Sequence, residues 1–216
     1  VFQSFFKGDF VKDFFWTPQK SAFGEITEKR SKFISEIRPI CDEQAAADFI
    51  EEVRLKHRDA RHTVFSYLLI DGKKRYSDDG EPSGTAGAPI TEILEKKCFS
   101  NCAVTVTRYF GGILLGTGGL LRAYSAAATS AIEQCDPVKM ILKNSFSLCC
   151  EYTFYNRIPS ILSKYGGKIL TSDFSNSVSL SVSLPPDQSE KFSALIFELS
   201  GGKIVANPLD PLYEKE

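Results

Sequence analysis

Net charge is almost absent from this sequence: 26 basic and 27 acidic side chains leave −1 over 216 residues. Such a chain is no polycation, so contact with nucleic acid has to come from a local patch. Neither half is a charged tail, with 18 basic and 19 acidic residues through Asp136 and 8 of each beyond it. Long apolar runs are missing too. No stretch approaches the ~20 residues that span a bilayer, so no membrane partner is expected. Lys7, Asp9, Lys12 and Asp13 interrupt the first twenty residues, which therefore resemble no secretory signal. The six cysteines form no CxxC pair, and neither histidine lies near one of them. That spacing argues against structural zinc and against a disulfide framework, and predicts a reduced, cytoplasmic chain without metal or cofactor. No serine or cysteine sits in a nucleophile motif such as GxSxG.

What is present is a chain with 43% hydrophobic residues, enough to bury a core. Residues 1–20, "VFQSFFKGDFVKDFFWTPQK", are an aromatic-rich extension in which Phe2, Phe6 and Phe10 recur at helical spacing. They read either as packing on their own domain or as a docking helix for a protein partner. Residues 21–136 then read as a first domain. Strands at 22–28 and 32–38 precede the helix "CDEQAAADFIEEVRLKHR", where Asp42 is a candidate N-cap and Ala46, Phe49, Ile50 and Val53 keep a helical period. Strands "HTVFSYLLI" and "RYS" flank the turn "DGKK". A polar loop, a short helix after Pro89, the β-branched strand "CAVTVTRYF", a glycine-rich loop and an alanine-rich helix complete it.

Residues 137–145 read as a linker and 146–216 as a second domain with the order β-α-β-β-α-β, the ferredoxin-like pattern. "GGKI" occurs at 166–169 and again at 201–204, each time after a helix. Glycine there serves as the helix C-cap and marks two equivalent halves, each opening a strand.

Three stretches carry candidate chemistry. "RYFGGILLGTGGLLRAY" places five glycines within residues 111–119, between Arg108 and Arg122. Gly111 and Gly116 have Walker A spacing, but Thr117 stands where the phosphate-binding lysine belongs, and GxGxxG is not met either. A strand, a glycine turn and a helix start remain, which suits an anion held by free backbone N–H groups and by the two arginines. Gly111, Gly112, Gly116, Thr117, Gly118 and Gly119 are the candidate contacts; a tight turn with close backbone packing is the alternative. The loop 77–87 carries Asp78, Asp79, Gly80, Glu81, Ser83, Gly84 and Thr85. Its carboxylates could hold a hard cation, do acid–base work or cap backbone N–H groups, and we expect the last of these for at least one aspartate. "RLKHRDARH", with Arg58, Arg61 and His62, is the most basic stretch and suits phosphate.

"DARH", "RYSDDGEPSGTAG" and "VTRYFGGILLGTGGLLRAYSAAA" resemble the hallmark motifs of the IMPACT/YigZ family in order and spacing, over about residues 20–135. The resemblance implies an α+β protein of two domains. The first would be a left-handed βαβ domain similar to one in a ribosomal small-subunit protein. The second would be a ferredoxin-like domain similar to a C-terminal domain of elongation factor G. Eukaryotic members restrain activation of an initiation-factor kinase and carry an additional N-terminal module; the bacterial two-domain type does not. Three functions are therefore expected to compete: a regulator of translation that binds RNA or the ribosome, an enzyme acting on a phosphorylated or nucleotide substrate, and a protein-interaction module. Geometrically, strands 63–70 and 102–109 should run antiparallel, so that His62 meets Arg108 and loops 77–87 and 111–119 converge.

Overall fold

The computed structural model describes residues 12–216, which form two compact units, 12–140 and 141–216. Phe2, Phe6 and Phe10 lie outside the described residues. The described part of the aromatic head is strand β1 (Phe14–Pro18), which is clipped to the first unit. Trp16 N donates to the Cys98 carbonyl and Ser100 N donates to the Trp16 carbonyl, both at 2.9 Å.

The first unit is built on an antiparallel sheet of β2 (Ala22–Glu28), β3 (Ser31–Pro39), β4 (His62–Leu68), β5 (Lys74–Ser77) and β6 (Cys102–Tyr109). Their order is β2-β3-β6-β4-β5. Strands β3 and β4 are both antiparallel to β6, so they run parallel to each other on either side of it. The connection between them is therefore a crossover, made by α1 (Glu43–Lys56). Asp42 caps that helix as the sequence predicts, its carboxylate accepting from Ala45 N at 2.8 Å.

Side chains alternate across a strand, and both faces of this sheet are covered. Phe65, Tyr67 and Ala103 meet Phe49, Ile50 and Val53 of α1. On the other face Phe33, Ile37, Val64, Val104 and Val106 share a core with Ile90 and Leu94 of α2 (Gly87–Lys96) and Tyr124, Ala127 and Ala131 of α3 (Gly116–Glu133). Two helix starts differ from expectation. Helix α2 begins at Gly87 rather than after Pro89, and α3 begins at Gly116, so the second half of the glycine loop is its first turn.

Residues 137–145, read from sequence as a linker, belong to the strand β7 (Pro137–Cys150), and the division between the units falls within it. In the second unit the chain continues through α4 (Tyr152–Tyr155), α5 (Ile158–Lys164), β8 (Lys168–Phe174), β9 (Val178–Leu184), a single 3₁₀ turn, α6 (Ser189–Leu199) and β10 (Asn207–Lys215). Among these strands β10 pairs with β7, β7 with β9 and β9 with β8, which is the pairing of a ferredoxin-like fold; β7 also pairs with β1. The expected final strand at 201–207 is corrected to β10, further along; its Pro208 and Pro211 are tolerated because β10 lies at an edge of these paired strands. The two glycine caps are equivalent. Gly166 and Gly201 have φ of 64° and 63°, and the following Gly167 and Gly202 donate back to Leu162 and Phe197. Only the first GGKI opens a strand directly.

Candidate functional site

The register of the first sheet brings four connections to one end. Glu28 pairs with Ser31, Lys32 with Tyr109, His62 with Arg108 and Phe65 with Ser77. The β2–β3 turn, the α1–β4 loop, the β5–α2 loop and the β6–α3 loop therefore leave from the same edge. The turn consists of Lys29 and Arg30, both left-handed with φ of 44° and 67°. Long side chains rarely adopt this conformation. Gly111 closes over the turn, its N–H donating to Ser31 Oγ at 3.1 Å, and a Cβ there would overlap the Arg30 carbonyl group. Gly111 is thus required by the fold.

The acidic loop turns inward. Asp78 accepts from Gly84 N, Ala86 N and Gly87 N, which satisfies the start of α2. Asp79, with φ of 45°, accepts from Thr63 N at 2.7 Å and from Arg54 Nη2 at 3.0 Å. Its carbonyl accepts from His62 Nδ1 at 2.7 Å, which fixes the proton on that nitrogen in the neutral ring. Glu81 is buried and its Oε1 accepts from both Arg108 Nη1 and Tyr124 OH, each at 2.7 Å. Burial, reinforced by Glu81, pushes the Tyr124 hydroxyl far above its ordinary range, so it remains a donor. Loops 77–87 and 111–119 are thus joined through Glu81, by Arg108 at the end of β6 and by Tyr124 on α3. Thr85 donates to the Pro82 carbonyl, while Gly80, Ser83 and Gly84 face solvent. Among the described residues no three His, Cys, Asp or Glu side chains are grouped to hold a metal.

Arg108 departs from its expected role as an anion contact. Its side chain is 8% exposed, its guanidinium lies over the Phe33 and Phe110 rings, and Glu81 takes its Nη1. Arg58, Arg61 and Arg122 do reach solvent, and so do Lys29 and Arg30, which sequence reasoning missed. The "EKRS" break between two strands was the available signal. These five cations have no ion pair among the described residues; Glu28 and Asp59 are the exposed acids beside them in sequence. Gly112, Gly116, Thr117 and Gly118 are exposed, Gly119 is half-buried, and no side chain caps the N-terminus of α3. Gly118 is helical and meets no atom nearer than Arg122 Nη1 at 3.8 Å, so the fold does not need glycine there. His57, by contrast, is held against Tyr109 OH at 2.9 Å.

The family model of the Impact N-terminal domain matches residues 29–132, and a domain of unknown function, DUF1949, matches residues 148–203. The chain is 37% identical over 180 residues to the IMPACT family member YigZ of Escherichia coli, covering 82% of this chain and 88% of that protein. The chain belongs to the IMPACT family. It is also similar to the family member YvyE of Bacillus subtilis, with 31% identity over 191 residues and 88% of each chain covered. The mouse Protein IMPACT matches 50% of this chain at 28% identity. A crystal structure described as an hypothetical protein superposes with a TM-score of 0.63 at 32% identity, covering 92% of this chain and 98% of that one.

Proposed function

We propose that this chain is a regulator of translation that binds RNA, alone or in the ribosome, through the end of the first sheet. The observation that carries the reading is a set of five exposed cations with no ion pair among the described residues: strand register brings Lys29, Arg30, Arg58 and Arg61 to one edge, and Arg122 stands on the second turn of α3, the helix that follows β6 from that edge. Exposed cations make phosphate contacts, and these are spread over two connections and the second turn of α3, as a backbone running past them requires. The uncapped first turn of α3 adds backbone donors and the positive end of a helix dipole. The enzymatic alternative is weakened because Asp78, Asp79 and Glu81 already serve the fold. The connection with translation comes from the family.

Equilibrium binding of mixed-sequence RNA across a salt series tests the proposal. Binding should weaken steeply as salt rises. Absence of binding at low salt overturns it.

A further inference from the structure

The same edge carries an apolar tip that phosphate contact does not explain. Leu114 is 83% exposed, Phe110 48% and Ile113 40%. A single exposed leucine is ordinary, but three large apolar side chains within five residues form a patch. Gly112 and Gly116, with φ of 84° and 70°, bracket Ile113 and Leu114, while Leu115 between them packs against the core. Phe110 has the Arg108 guanidinium 5.4 Å from its ring centroid.

We infer that the RNA taken by this site is unpaired where it touches the protein, with Phe110, Ile113 and Leu114 covering exposed base faces. This rests on the RNA-binding reading above. A paired A-form helix offers phosphates and 2′-hydroxyls, and its base faces are closed by stacking. An apolar tip set against that surface would remove water from phosphates and gain nothing in return. An unpaired strand offers both parts of the match. Its phosphates meet Arg58, Arg61 and Arg122, and its bases splay onto the tip. Phe110, braced by Arg108 behind it, supplies the stacking platform.

The test uses the full chain with a mixed-sequence single-stranded RNA and a duplex of equal length, at matched salt. Vesicles of anionic phospholipid serve as a third probe. Leu114→Ser and Phe110→Ala are compared with wild type, and thermal melting confirms that each variant is folded; Leu114→Ser removes only an exposed side chain. The expected result is single-strand binding tighter than duplex binding by about tenfold, the scale of base–aromatic stacking. Both variants should lose most of that preference while the salt dependence and the duplex affinity stay unchanged. Equal binding of both RNAs, with Leu114→Ser like wild type, overturns this inference and leaves phosphate binding intact. No RNA binding at low salt overturns both. Vesicle binding that is lost in Leu114→Ser, without any single-strand preference, assigns the tip to a membrane surface and overturns the inference.

Discussion

His62 and Arg108 stand directly opposite each other on β4 and β6, yet each is committed to the acidic loop at a different residue. His62 donates to the Asp79 carbonyl and Arg108 donates to the Glu81 carboxylate. The loop is therefore sewn across the edge of the sheet, and its carboxylates complete the fold there. The solvent-facing chemistry is left to the cations around it.

Removing one partner of the Arg108–Glu81 pair should destabilise the chain strongly. Both side chains are buried, at 8% and 3% exposure, so Glu81→Ala leaves a buried guanidinium unpaired. The expected cost is about 3–5 kcal/mol in urea denaturation. Tyr124→Phe, which removes one of two donors to the same oxygen, should cost about 1 kcal/mol. Equal small effects from both would mean that the pair does not hold the loop.

The glycines should separate into structural and permissive positions. Gly111→Ala forces a Cβ into the Arg30 carbonyl group and should prevent normal folding of the turn. Gly118→Ala meets open space within a helix and should stabilise by about 0.5–1 kcal/mol. Melting temperatures moving in the same direction for both variants would contradict this assignment.

His57 should make stability sensitive to pH. Burial, with a smaller push from Lys56, holds its pKa below the ordinary value of 6.5, against an opposing pull from Glu36. The unfolded chain then takes up this proton at higher pH than the folded one. The contribution is complete above about pH 6.5 and is lost as pH falls through the lower folded value. His57→Gln should flatten the decline in melting temperature between neutral and mildly acidic pH. Identical declines in the two proteins would count against the burial of the ring.

Much of this was legible in the sequence because local rules and tertiary structure agreed. Asp42 capped its helix, the paired GGKI segments capped two more, and the apolar strands at 62 and 102 paired antiparallel. The failures have identifiable causes. Glycine is a poor helix former, so the first turn of α3 reads as loop. Pro208 and Pro211 obscure β10, whose edge position tolerates them. The break between β2 and β3 was legible, but Lys29 and Arg30 stand there in place of the usual Asn-Gly, so no turn chemistry marked them as solvent-facing cations. The burial of Arg108 was readable from strand alternation, since it shares a face with Val104 and Val106, but its charge suggested the surface. Its partner Glu81 lies on an irregular loop, where periodicity carries no information.

The most direct measurement is RNA affinity against salt for wild type and the triple variant Arg58→Ala/Arg61→Ala/Arg122→Ala. All three arginines are exposed and have no ion pair among the described residues, so the variant should fold and melt like wild type. With three phosphate contacts removed, the slope of log affinity against log salt should shrink by about 2 for a single strand, and affinity at low salt should fall. A variant that binds RNA with the same affinity and slope as wild type would contradict the account.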